Sequence, residues 1–346
     1  MPSLDEVRQH RSTHGARPDE SDLHTTPSRS VSAVVALDLA ERAGYDRGVR
    51  RARQVPSSGV GLVLIALAAV SWGTSGSVML ALEQRAAASP LLVGAARLWV
   101  AAALLLGAAA TRGRLTVAPA DRWRCVTMGA CMAGYQAAYF SAVTLGGIVI
   151  AALIAICSAP LVIAALAPWW LGERLTPRVR AALGLGVVGT GLLVVVPHDG
   201  PDVSPHFLVG ALLALAAGLA YALFVLTAKA SLARSAPLSL TALAFAAGAV
   251  LLTPVLLWTE APLRQLALGW PWLLYLGGVA TAGAYAIYAV GLRRVPATVA
   301  GVTTLLEPLT ATILGAALFG ERLGAGGGVG ALLLVSALGL LIVDRS

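Results

Sequence analysis

Two side chains able to carry charge lie deep in apolar sequence, Glu307 and Arg97. Glu307 stands about ten residues into the apolar run 297–319, directly before Pro308. A carboxylate at such a depth must face a cavity, find a partner or take up a proton. The last option would let it couple proton movement to the movement of a solute. Pro308 has no N–H and frees a carbonyl one turn earlier, so a helix break there could line a site. Pro160 offers the same break in another apolar run. The competing reading of Glu307 is a packing carboxylate hydrogen-bonded to a neighbouring helix. Arg97 could bind a substrate carboxylate, pair with Glu307, or snorkel to the interface with its stem along the helix.

A second group is aromatic and amide: Trp72, Tyr135, Gln136, Tyr139, Tyr221, Tyr285 and Tyr288. The spacings 135/139 and 285/288 put each pair on one helix face. Such a set could enclose an organic small-molecule substrate, and a cation would gain a cation–π term. Tyr and Trp also serve as interface anchors, but several of these lie mid-run. Glu173-Arg174 and Glu321-Arg322 fall at helix ends, where capping and local ion pairs are the ordinary roles and gating is the alternative.

Other chemistry is absent from the pattern. The five histidines (10, 14, 24, 198 and 206) lie outside the apolar runs, and there is no HExxH, Gly-x-Ser-x-Gly or paired intramembrane acid. Gly324-Ala-Gly-Gly-Gly is not followed by Gly-Lys-Ser/Thr, so no phosphate loop is present. Cys125, Cys131 and Cys157 form no CxxC pair and read as packing residues, not metal ligands. An enzyme and a bound cofactor are both disfavoured. A net charge of +8 could suggest nucleic acid, but no basic stripe with interleaved aromatics exists.

The elements that must position these residues are long and apolar. Of 346 residues 58% are hydrophobic and 12% charged, with a mean hydropathy of +0.79. Soluble domains carry about 25% charged residues, so the lipid bilayer is the expected solvent. The runs predict an all-α integral membrane protein with ten transmembrane helices near 59–82, 90–111, 123–143, 147–171, 178–197, 207–229, 237–258, 270–291, 297–319 and 325–343. With both termini cytoplasmic, 21 of 25 basic residues fall inside and Arg85, Arg264 and Arg322 outside, as the positive-inside rule requires. Residues 1–57 are polar, hold eight acids and nine bases, and predict a disordered cytoplasmic tail with a short amphipathic stretch near 31–53.

The chain also repeats itself with a shift of 148 residues. Pro160-Leu161 returns as Pro308-Leu309, Gly172-Glu173-Arg174-Leu175 as Gly320-Glu321-Arg322-Leu323, and Gly129 as Gly277. Glu307 is matched by Ala159, so one half alone carries the acid. Five helices per copy, an odd number, make the second copy enter from the opposite side, giving two inverted five-helix repeats over 59–197 and 207–343.

These two Pro … Gly-Glu-Arg-Leu patterns, with Trp72-Gly73 and Ala96-Arg97-Leu98, resemble the EamA repeat of the drug/metabolite transporter superfamily. Leu98 stands where an aromatic is usual, and Ala220-Tyr221 replaces the second Trp-Gly. The resemblance covers residues 59–343. It implies a secondary transporter of small organic solutes, such as amino acids or drugs, through a cavity between the halves. The high Ala, Gly, Leu and Arg content suggests a bacterial source and hence an inner membrane, and on the resemblance export is the favoured direction, with proton coupling through Glu307 an option. A passive channel or a non-transporting membrane scaffold is the alternative.

Overall fold

The computed structural model describes residues 59–111, 115–194, 205–319 and 325–343. Among them no strand occurs. The order is α1 (Gly59–Gly73), α2 (Ser75–Ala86), α3 (Pro90–Thr111), α4 (Arg122–Gly146), α5 (Ile148–Trp170), α6 (Pro177–Val194) and α7 (Pro205–Ser231). It continues with α8 (Pro237–Leu252), α9 (Pro262–Gly277), α10 (Ala284–Leu292), α11 (Ala297–Thr303), α12 (Leu306–Phe319) and α13 (Ala325–Val343). Proline opens α3, α6, α7, α8 and α9, where its fixed φ suits the first turn and its missing N–H costs nothing.

Among the described residues seven helical stretches are long and apolar enough to cross a membrane: 59–86, 90–111, 151–170, 205–231, 237–257, 262–292 and 297–317. The other expected spans coincide with α4, α6 and α13. Their sequences explain the lower apolarity of two of them: α4 carries Tyr135, Gln136 and Tyr139, and α6 carries Arg178 and Arg180. The stretch expected at 270–291 begins eight residues earlier, because α9 holds Pro262 in its first turn and runs through Pro271. The amino-terminal tail, Glu321, Arg322 and most of the 197–206 connection lie outside the described residues.

The surface is apolar. Val63, Leu67, Leu104, Leu212, Leu251, Leu274 and Leu332 are exposed along the helices. Trp123, Trp169, Trp170 and Trp258 are exposed at or beside helix ends, as membrane interfaces favour, while Trp99 and Trp270 are exposed within α3 and α9. Small residues carry the inner contacts. Gly189 of α6 and Gly330 of α13 meet backbone to backbone, and Gly129 of α4 meets Gly248 of α8.

Two helix groups face each other. In the first wall, α1 packs on α10 and α12. In the second, α7 packs on α4 and α5. The first wall is interrupted three times. Helix α1 ends at Gly73 and α2 starts at Ser75. A π-helical segment, Gly278–Gly283, joins α9 to α10. Helix α11 stops at Thr303, one turn before Pro308, and α12 resumes at Leu306. The expected break at Pro160 is not seen: α5 runs through it and through Pro168 from Ile148 to Trp170.

Candidate functional site

Each interruption of the first wall is organised by a threonine hydroxyl. Thr74 Oγ1 donates to the Ser71 carbonyl at 2.7 Å and lies 2.8 Å from the Tyr275 hydroxyl. Thr281 Oγ1 donates to the Leu276 carbonyl, five residues back, at 2.7 Å. Thr304 Oγ1 donates to the Gly301 carbonyl at 2.7 Å. A hydroxyl that takes a carbonyl within its own turn satisfies an acceptor that an irregular helix would leave open. Their counterparts 148 residues away are Ala222, Ala133 and Ile156, which have no hydroxyl.

Between the walls lies a cavity of about 380 Å³, within the range of small-molecule sites. It runs from the middle of the helices towards the turn at 86–90. Ser75, Met79, Glu83, Ala88 and Pro90 line it on that side, and Tyr139, Phe140, Val143, Ala152 and Ala155 line the facing helices. At its deep end are Trp72, Gly73, Ala159, Pro160, Tyr221, Thr304 and Glu307.

The fold brings the sequence-selected residues together here. Glu307, Arg97, Trp72, Tyr135, Gln136, Tyr139, Tyr221, Tyr285 and Pro160 all line the cavity. Tyr288 does not. It is buried behind the lining, with its ring centroid 5.3 Å from that of Trp72 and 6.1 Å from that of Tyr285. Pro308 is buried beside Glu307 and also falls outside the lining.

Glu307 reaches the cavity because Gly73 lets α1 and α12 touch. A Cβ at residue 73 would come within 2.7 Å of the Glu307 carbonyl and 2.6 Å of Thr310 Cβ. Arg97, on α3, is held from the side: its Nε donates to Thr281 Oγ1 at 3.0 Å. The π segment therefore fixes one edge of the guanidinium and leaves its other nitrogens for the cavity, a use often made of π-bulges. Arg97 and Glu307 border the same space without an ion pair between them among the described residues. Neither counterpart carries charge, since Phe245 matches Arg97 and Ala159 matches Glu307.

The aromatic part is continuous. Trp72 lies 4.7 Å from Tyr285 between ring centroids, and Tyr285 lies 4.8 Å from Phe245 and 5.7 Å from Phe224. Tyr135 and Tyr139 stack at 5.8 Å, one turn apart, and Tyr135 continues to Tyr221 at 5.9 Å. Trp72 Nε1 is buried and has no hydrogen-bond partner among the described residues. Thr281, Thr304, Phe224 and Phe245 were missed by sequence reasoning. The glycines flanking Thr281, at 277, 278 and 283, were the available signal of an irregular helix.

The comparisons fall on this same region. The model of the EamA-like transporter family matches twice, over residues 59–195 and 208–343. A Bacillus subtilis protein named uncharacterized transporter YwfM is 35% identical over 287 residues, covering 82% of this chain and 93% of the relative. The B. subtilis uncharacterized transporter YetK is 27% identical over 165 residues, covering 47% of this chain and 50% of itself. A protein of known crystal structure matches with a TM-score of 0.74 at 22% identity, covering 84% of this chain and 98% of its own, which is a likeness of fold.

Proposed function

The chain belongs to the EamA-like transporter family, and on that premise we propose that it is a secondary carrier of small amphiphilic organic solutes working by alternating access. The observation that carries this reading is the unequal cavity. Arg97 and Glu307 lie on one side, where an ionised group would find partners, and Tyr135, Tyr139 and Tyr221 lie across from them. A solute bearing a charged or zwitterionic group on an aromatic or apolar body satisfies both. Such a body stacks on the rings, and a cationic part gains the cation–π attraction. The lone acid supports proton coupling.

Ten spans in two inverted repeats, 59–197 and 207–343, are part of the proposal. Contacts that recur at the 148-residue shift support it. Gly129 against Gly248 is matched by Gly277 against Val100. Both termini and the ends near Asp121, Glu173 and Lys229 are placed in the cytoplasm of a bacterial inner membrane, and the cavity mouth outside. Export is the favoured direction.

The test begins with metabolites inside and outside cells with and without the protein, to name the solute. Accumulation of that solute is then followed in vesicles under an imposed proton gradient. The expected outcome is uptake against the solute gradient in the parent, lost in Glu307→Gln while counterflow exchange persists. Flux only down the gradient would favour a channel, and accumulation by Glu307→Gln equal to the parent would remove the proton role.

A further inference from the structure

The cavity stops midway, and what closes the other end includes two buried charges. Lys229, in the last turn of α7, is 6% exposed. Its Nζ donates to the Leu292 carbonyl at 2.8 Å and the Val295 carbonyl at 2.6 Å. Glu173, just after α5, is 7% exposed. Its Oε1 accepts from the Ala297 amide at 2.6 Å, and its Oε2 accepts from the Thr298 amide at 3.1 Å and the Thr298 hydroxyl at 3.0 Å. The cation takes carbonyls at the end of α10 and the anion takes amides at the start of α11, so each charge meets the backbone groups a helix terminus leaves open.

Both charges come from the second wall, and the turn they grip, 292–298, joins two helices of the first. Just above it Gly301 of α11 lies against Pro160 and Ile163 of α5, at the floor of the cavity. Lys229 is the sole lysine of the chain, all other basic side chains being arginine. An ammonium is a compact point charge that fits between two carbonyls where a planar guanidinium would not. Its counterpart at the mouth end, 148 residues earlier, is Ala81. The position matching Lys229 at the mouth end therefore offers no cation.

We propose that Glu173 and Lys229 form a latch across the two walls and are positioning residues for the reorientation step. They hold the 292–298 turn closed while the cavity is open at the 86–90 end, and their release opens the opposite end. The single lysine biases the resting carrier towards the mouth-open state. The proposal rests on the alternating-access reading and adds to it which contacts must break.

The experiment reads the side from which the cavity is reached. Cys125, Cys131 and Cys157 are replaced by alanine, and Ala159→Cys places one thiol at the deep end. A membrane-impermeant maleimide is applied to right-side-out and to inside-out vesicles. The parent should react quickly from the mouth side and slowly from the latch side. Lys229→Met and Glu173→Gln should each raise the latch-side rate about five-fold or more and lower the mouth-side rate. Measurable latch-side rates that are equal in parent and variants overturn the latch and leave the carrier reading standing. No latch-side reaction in any of the three removes both.

A second arm keeps the native latch, in case the variants do not fold. A bulky maleimide is first attached to the thiol at 159 from the mouth side, propping that end open. The reactivity of Lys229 towards an impermeant amine reagent in inside-out vesicles, read by mass spectrometry, should fall several-fold. Unchanged reactivity overturns the proposal.

Discussion

Asp121 is fully buried and holds its charge among three donors. Arg234 reaches it at 2.7 Å, Ser235 Oγ at 2.8 Å and Arg124 at 3.0 Å. Burial opposes its ionisation, but the hydrogen bonds from Arg234 and Ser235 and the charges of Arg234 and Arg124 outweigh burial and hold the carboxyl below its ordinary 3.8. A carboxyl depressed in this way adds stability that is complete above its unfolded value and lost as pH falls through the folded one. Detergent-solubilised protein should therefore lose thermal stability below about pH 4. Asp121→Asn should start about 1.5–3 kcal/mol less stable at neutral pH, the worth of a hydrogen bond to a charged group, and should show less of the acid decline. Melting profiles for parent and variant that run parallel from neutral to acid pH would rule this out. Glu307 and Arg97 were legible in the sequence because a charge inside an apolar run is expensive and stands out. Asp121, Glu173 and Lys229 were not, because charges at helix ends are ordinary. Glu173 was expected to cap or pair locally, and its amide partners are those of a helix 124 residues away. Lys229 was counted only as a topological charge, although its being the sole lysine was visible.

The helices were legible at the level of apolar runs, and their interruptions were not. Proline positions suggested breaks at Pro160 and Pro308, yet α5 is continuous and the break near Pro308 falls at Thr304 and Leu305. The reason is that proline only removes a donor, and a helix continues if neighbours satisfy the freed carbonyl. What breaks the first wall is partly tertiary, the close approach at Gly73 and the Thr281–Arg97 bond, and partly local, with Thr304 turning onto Gly301. Gly73 gives the sharpest test. Gly73→Ala would put a Cβ 2.7 Å from the Glu307 backbone oxygen, which cannot rotate away. Helices α1 and α12 must then separate, at the cost of overpacking, about 1–3 kcal/mol. The variant should melt several degrees lower and transport poorly. Gly134→Ala, with nothing within 4 Å of its added Cβ, should match the parent in melting. Equal melting of the two variants would mean that the contact at Gly73 is not tight.

At the scale of the whole molecule, the two halves share a pattern but not a chemistry. The repeat explains why contacts return 148 residues apart, and why the cavity lies between matching helix groups. The differences bear on the proposed mechanism: Arg97, Glu307 and the three threonines at the interruptions have uncharged, hydroxyl-free counterparts, and the latch cation Lys229 has alanine as its counterpart. That end must also be assigned to a side of the membrane, and the basic residues make the assignment. In the proposed topology the segments assigned to the cytoplasmic side hold 21 of the 25 arginines and lysines, and Arg85, Arg264 and Arg322 fall on the other side. Lys and Arg near span ends resist translocation, so the proposed topology puts the richer side in the cytoplasm. Single cysteines at positions 54, 200 and 346 of the cysteine-free protein test this directly. An impermeant thiol reagent on intact cells should label position 200 alone, and opening the cells should expose the other two. Labelling of 54 and 346 in intact cells would invert the carrier and put the latch outside. Labelling of only one terminus would give an odd number of spans, and the two halves could not then be inverted copies of five helices each.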